Sequence, residues 1–272
     1  MSDRHPRVYL LDVEGTVAPI SFVYEQLFPY ARRHFEAFLR ATVASMAAIK
    51  DISHPTDEER ACVGDLLGLV IERRSETDPD APLKSMAPPG GPGSGGVFGF
   101  SIPEDPNSLI QSMLAYILWL MDRDRKSTAL KSMQGKIWKA GFESGELKGT
   151  LFADVPATLA RWAAEGRVAI YSSGSVEAQR LLFRYSTFGD LTGLIAAYFD
   201  TRTGAKADRA SYAAIAEAMG VNPAEAMFFS DTVREVDAAR DAGFATRLVM
   251  RAGNAAVEDA HGHPSIESFD GL

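Results

Sequence analysis

Asp12-Val13-Glu14-Gly15-Thr16 follows directly on the apolar run Val8–Leu11. A carboxylate at that point can attack phosphorus as a nucleophile or bind Mg2+ as a hard oxygen ligand. Glu14, two residues on, can return toward the same place and exchange protons with a leaving group, and Gly15 lets the chain turn away sharply. An acidic strand end followed by a solvated turn is an equally ordinary reading of these residues. Ser172-Ser173-Gly174-Ser175 joins hydroxyls to the N–H groups of a helix start, a neutral cradle for an anion; a plain serine N-cap has the same composition. Lys206, in Thr201-Arg202-Thr203-Gly204-Ala205-Lys206, can hold a phosphate and offset repulsion between anions. Most single lysines are merely solvated, and Arg202 is a weaker alternative for the same work. Asp231, in Ser230-Asp231-Thr232-Val233-Arg234-Glu235, offers a second carboxylate to a metal. Glu235, one helical turn on, could support the metal or a neighbouring cation, although acidic residues matching a helix dipole look the same.

These segments acquire a common purpose only if strands place them together. Val168–Tyr171, Met227–Phe229 and Thr246–Val249 read, like Val8–Leu11, as buried strands, and Ile195–Phe199 as a weaker fifth. None alternates polar with apolar, as expected when both faces of a sheet are covered. Helices are expected from Pro156, as first helical residue, to Glu165, and over 176–185, 209–219 and 234–242, with Gly166, Gly220 and Gly243 as stops. Alternating strands and helices imply right-handed βαβ units and a parallel sheet, whose ligand sites gather at the carboxyl ends of the strands.

The interval after the first strand reads differently. Val23, Leu27, Ala31, Phe35, Phe38, Thr42 and Met46 recur at helical spacing, so Phe22–Ile49 is expected to be helical with a bend at Pro29. Glu58–Arg74 and Ser108–Arg123 are further helices. Together they make a helical module inserted after the first strand, expected to cap the carboxyl edge of the sheet. Within it, residues 79–106 hold seven Pro and six Gly, too many for regular structure, and read as a solvated linker or a lid.

The chain has 272 residues and a formal net charge of −8. That length suits one large or two modest domains, and the acidic balance argues against broad binding to nucleic acid or anionic membrane. Cys62 is the single cysteine, which excludes an internal disulfide and fits a reducing compartment. The longest apolar run, Leu109–Met121, falls short of the roughly 20 residues that span a bilayer. No targeting segment is evident, so the expected location is cytoplasmic.

No one of the four segments is decisive; their common place after strands, in the order Asp, Ser, Lys, Asp, is. In that order they resemble the motifs of the haloacid dehalogenase superfamily. More closely, D-V-E-G-T followed by PISFVYEQLFPYARRHFEAFL, then LKSMQGKIWKAGFESGELKG, YSSGSVEAQRLLF, YFDTRTGAK and FFSDTVRE resemble the enolase-phosphatases of methionine salvage, the acireductone synthases. The resemblance spans almost the whole chain and departs from it at 79–106, a longer loop than the family leads one to expect. It implies an α/β fold: a Rossmann-like parallel sheet of the haloacid dehalogenase type at 1–19 and 150–272, with a helical cap domain at 20–149.

The resemblance also implies roles. Asp12 matches the nucleophile that becomes an aspartyl phosphate, and a Mg2+ ligand as well. Glu14 matches a metal-associated residue, through its main-chain carbonyl, with its carboxylate as candidate acid and base. Asp231 matches the other metal carboxylate, Ser172 and Ser173 the phosphate contacts, and Lys206 the cationic phosphate ligand. The implied substrate is 2,3-diketo-5-methylthiopentyl-1-phosphate, enolised and then dephosphorylated to acireductone by a monomer needing Mg2+ and no nucleic-acid or membrane partner. The enolising base stays open between Glu14 and a cap residue; Lys131, Gln134 and Trp138 lie in the family-like stretch. Charge balance agrees with these roles, since unit charges about 4 Å apart at an effective dielectric of 20 interact by about 4 kcal/mol. A phosphate among three carboxylates therefore needs Mg2+ and Lys206 beside it. The alternatives are a phosphatase of the same superfamily acting on another small phosphate ester, a metal-free dehalogenase and a signalling receiver module; the last spans roughly 120 residues and lacks the long insertion.

Overall fold

Val8–Leu11 forms strand β1, and all four of its residues are buried. Tyr9 and Leu10 point to opposite faces, so the strand can be buried throughout only if apolar layers cover both. Those layers come from the rest of the chain, which the computed structural model describes over residues 6–49, 56–82, 105–125 and 127–272. A π-helical segment, Phe22–Leu27, leads into α1 (Phe28–Ile49). The change of winding falls just before Pro29, which has no N–H to give a carbonyl four residues back; the Phe28 N–H instead bonds the Val23 carbonyl. Then come α2 (Asp57–Ser75), α3 (Pro106–Asp122), α4 (Thr128–Ser144) and α5 (Val155–Glu165). From there strands and helices alternate: β2 (Arg167–Tyr171), α6 (Val176–Arg184), β3 (Ile195–Phe199), α7 (Arg209–Met219), β4 (Ala226–Ser230), α8 (Val233–Asp241) and β5 (Ala245–Val249), closing with β6 (Ser265–Ile266).

The strands make one parallel sheet in the order β3-β2-β1-β4-β5-β6. The five expected strands are all present, each within a residue of its expected bounds. β6 and α4 were not foreseen, and α5 begins at Val155, which makes Pro156 its second residue. The chain winds from β1 outward through β2 to β3, then returns to the other side of β1 for β4 to β6. β1 therefore lies at the point where the winding reverses, where such sheets form a ligand crevice.

The chain divides into two compact units: Met1–Phe28 with Lys139–Leu272, and Pro29–Trp138. Those limits fall at the start of α1 and inside α4, whereas the sequence suggested 20 and 149; helical spacing shows which residues are helical, not which core each helix end joins. In the sheet-bearing unit, Val8, Leu10, Tyr171, Phe228 and Leu248 pack with Tyr212 and Ile215 of α7 and Val236 of α8. On the other face, Trp162 of α5 stacks on Tyr9 at 4.6 Å and on Phe229 at 4.9 Å, with Phe269 edge-on to Trp162 at 5.4 Å. Each such buried side chain is worth roughly 1.5–3 kcal/mol. The helical unit buries Phe35 and Leu39 of α1, Leu66 and Leu69 of α2, Met113 and Ile117 of α3, and Met133 and Ile137 of α4. Most of the Pro/Gly-rich stretch expected at 79–106, namely 83–104, lies outside the described residues. Among the described residues no helix is long and apolar enough to cross a membrane.

Candidate active site

The parallel register sets the ends of β2, β1 and β4 side by side: Leu11 is paired with Ile170 and with Phe229. Asp12 comes next on β1, and Ser172 and Asp231 follow one residue later, after Tyr171 and Ser230, so all three start their loops from one edge of the sheet. The Asp12 N–H bonds the Phe229 carbonyl at 2.9 Å, and the Ser172 N–H bonds the Phe199 carbonyl at 3.2 Å, so both loops continue the ladder before leaving it.

After Asp12 the chain turns at once. The N–H groups of Thr16, Val17 and Ala18 all reach the Val13 carbonyl, and the Gly15 N–H bonds Ala18. The Thr16 hydroxyl, inside this turn, donates to Asp12 Oδ2 at 3.3 Å and accepts the Asp231 N–H at 3.1 Å. One buried hydroxyl thus ties the two aspartates together. The same turn brings Glu14 back over the edge, where the Ser172 hydroxyl donates to its Oε2 at 3.1 Å. Ser172 Oγ also accepts the Gly174 N–H at 3.0 Å. Gln179 of α6 holds this loop from below, giving its amide N–H groups to the carbonyls of Gly174 at 2.8 Å and Phe199 at 2.9 Å. Ser173 is exposed on the same loop.

Lys206 arrives from the loop after β3. The hydroxyls of Tyr171 and Tyr212 hold that loop through the carbonyls of Gly204 at 2.9 Å and Lys206 at 2.7 Å. The Lys206 ammonium contacts Asp12 Oδ1 and lies 2.6 Å from Glu235 Oε2. Glu235 is fixed in turn by the Ser230 hydroxyl at 2.8 Å, which fulfils the supporting part its spacing suggested. Arg202 does not share this position; its guanidinium pairs with Asp200 at 2.9 Å. Asp200 also accepts the Val176 N–H at the start of α6.

Burial and crowding of like charge dominate the electrostatics. Burial first, and Asp12 second, push Glu14 above the usual carboxylate range. The same two causes raise Asp231 to about 6 and Glu235 to about 7. Burial works against the Lys206 ammonium, but Asp12 and then Glu235 outweigh it and hold its pKa above the usual lysine value. The cluster is therefore short of positive charge, and Glu14, Asp231 and Glu235 share the deficit. Asp12, Asp231 and the Glu14 main-chain carbonyl are hard oxygen donors of the kind Mg2+ prefers. Among the described residues no three acidic, His or Cys side chains converge as a closed cage. A divalent cation held by two carboxylates would retain bound water, which is the habit of Mg2+. The donor set fits that ion.

Thr16, Gln179, Arg251 and Asn254 belong to this framework and were not singled out in the sequence. Arg251 Nε donates to the Thr16 carbonyl at 3.1 Å, and Asn254 Nδ2 donates to the Gly15 carbonyl at 2.8 Å and to Asp231 Oδ2 at 3.2 Å. The periodicities that mark helices and strands carry no signal for such contacts to main-chain carbonyls. On α4, Lys131 is exposed, Gln134 buried and Trp138 half-buried.

Residues 6–243 match the family model of the haloacid dehalogenase-like hydrolases. The chain is 44% identical to Enolase-phosphatase E1 of Synechococcus elongatus, over 97% of this chain and 96% of that one. It is 41% identical to Enolase-phosphatase E1 of Leptospira borgpetersenii over the same shares. A solved structure, the Unknown transcript 4 protein of Saccharomyces cerevisiae, superposes with a TM-score of 0.68 at 32% identity, covering 98% of this chain and all of that one. With a strand-end Asp12, a Lys206 counter-charge and a paired Asp231 on this sheet, the chain belongs to the enolase-phosphatases of the haloacid dehalogenase-like hydrolases and is a phosphatase enzyme.

Proposed function

We propose that the enzyme converts 2,3-diketo-5-methylthiopentyl-1-phosphate to acireductone and inorganic phosphate, the enolase-phosphatase step of methionine salvage, with Mg2+ as cofactor. The observation that carries this reading is the convergence of Asp12, Glu14, Ser172, Lys206 and Asp231 at neighbouring strand ends. The relatives' shared name supports the substrate.

In this mechanism Ser172 and Ser173 bind the phosphate with the N–H groups of their loop, and Lys206 neutralises its charge. Asp12 attacks phosphorus; its carboxylate oxygen forms the new P–O bond as the bond to the substrate oxygen breaks. Glu14, whose carboxyl holds its proton more tightly than an ordinary glutamate because of burial and then Asp12, gives that proton to the departing oxygen. The resulting Glu14 carboxylate then takes a proton from water, whose oxygen attacks the aspartyl phosphate; phosphate leaves and Asp12 is regenerated. Asp12, Asp231 and the Glu14 carbonyl would hold Mg2+, which supplies charge neutralisation for the phosphoryl oxygens. Enolisation needs a base near the diketone; Glu14 is one candidate and a residue of the proposed cap is the other.

The test is a panel assay with Mg2+. Release of phosphate together with acireductone absorbance from the diketo substrate, at a kcat/KM well above that for other esters, is the expected result. Phosphate release without acireductone would favour a related phosphatase acting on another small ester.

A further inference from the structure

We propose that Asn254 is a positioning residue that locks the Asp231 carboxylate to the turn carrying Asp12 and Glu14. The proposal rests on the phosphatase reading above. Asn254 lies beyond β5, outside every segment that the sequence marked. Its Nδ2 is 2.8 Å from the Gly15 carbonyl and 3.2 Å from Asp231 Oδ2. Both partners are pure acceptors, so the side chain must present its NH2 group, one N–H to each. The amide thus spans two loops that are remote in sequence.

The root of this side chain is itself fixed. The Asn254 N–H closes a turn onto the Arg251 carbonyl at 3.1 Å. Arg251 is buried and donates to Thr16 O at 3.1 Å, Asp154 Oδ2 at 2.8 Å and Glu267 O at 3.2 Å. Its guanidinium lies 4.4 Å from the Phe152 ring centroid and 4.6 Å from that of Phe269. One turn therefore grips two successive carbonyls, those of Gly15 and Thr16, and extends one donor further to Asp231. Without that donor Oδ2 of Asp231 loses this tie, while Oδ1 keeps the Thr232 hydroxyl at 3.0 Å. A carboxylate that faces Asp12 and is tethered at one oxygen can swing away from its neighbour. Partners of this kind, which orient a ligating carboxylate, typically change metal affinity or activity by 10–100-fold.

The experiment compares wild type with Asn254→Ala and Asn254→Leu, the second filling the volume without a donor. Mg2+ binding to the substrate-free protein is measured by calorimetry, turnover with the diketo substrate, and thermal midpoint in chelator. Both variants are expected to bind Mg2+ about tenfold more weakly and to lose about tenfold in kcat, with KM and midpoint nearly unchanged. Wild-type behaviour in either variant, restoration by leucine, or a large fall in both midpoints overturns the assignment, the last in favour of a structural role. Wild-type protein that takes up no Mg2+ would count against the metal reading alone, and the kcat of the two variants then decides the role of Asn254.

Discussion

A Cβ added to Gly15 would stand 2.1 Å from Oδ2 of Asp231. The turn carrying Asp12 and Glu14 can therefore approach Asp231 only where residue 15 has no side chain. Its φ of +74° demands the same residue. Gly15→Ala adds left-handed strain of about 1–2 kcal/mol and pushes the two carboxylates apart. Displacing reacting groups by about an ångström costs up to about 100-fold in rate, so kcat/KM is expected to fall by that order. Kinetics and chemical denaturation of the variant check both effects; an unchanged kcat/KM would show that the spacing of Asp12 and Asp231 does not matter.

Asp12→Asn removes the proposed nucleophile while keeping its shape. Loss of the nucleophile in a serine protease costs about 2 × 10⁶-fold in kcat, and a fall of at least about 10⁴-fold is expected here. The Asn side chain can still accept from Thr16, and one like charge disappears from beside Asp231 and Glu235, so the fold is expected to persist. Phosphate release and near-UV circular dichroism measure the two outcomes. Retained turnover in a folded variant removes Asp12 from its role.

The sheet was legible because its strands are short apolar runs set between helices with glycine stops, and burial on both faces is written directly in Val8–Leu11 and Val168–Tyr171. The site was legible in part because Asp12 and Ser172 come straight after those runs and Asp231 straight after β4. What escaped has a common physical cause. β6 is two residues long, too short for any period. α4 mixes Lys131, Lys136 and Lys139 with Gly135 and Gly141, and its start is marked only by the Ser127 hydroxyl, which accepts the Leu130 N–H at 3.1 Å. Gln179, Arg251 and Asn254 act mostly on main-chain carbonyls, and every residue type supplies one of those. Arg202 looked interchangeable with Lys206 because the sequence shows a charge but not its partner, which is Asp200.

Lys206 is the counter-charge in contact with Asp12 and Glu235. Lys206→Ala leaves those carboxylates facing each other and takes away the proposed phosphate contact. Removing one preorganised electrostatic donor typically lowers kcat by about 10²–10³-fold, and that loss is expected together with weaker inhibition by inorganic phosphate. Lys206→Arg keeps the charge but needs a wider space than the buried ammonium occupies, so it should recover only part of the rate. Wild-type kinetics in the alanine variant would pass the phosphate-binding role to another cation.

Asp154 makes a clear pH prediction. Burial opposes its charge, but the Arg251 hydrogen bond, the Phe269 N–H and the Ser268 hydroxyl outweigh it and hold its pKa below the usual aspartate value. A carboxyl group whose pKa is lower folded than unfolded binds its proton more weakly in the native state. Its contribution to stability is therefore complete above the unfolded value, near 3.9, and disappears as pH falls through the lower folded value. Asp154→Ala strands Arg251, whose side chain is 6% exposed, and breaking a buried ion pair from one side costs about 3–5 kcal/mol. Urea denaturation should show a gap of that size between wild type and variant at neutral pH. The gap should hold down to about pH 5 and narrow steadily below the unfolded pKa of about 3.9. A gap that stays constant into that acid range would mean that Arg251 is stabilised by something other than the Asp154 charge.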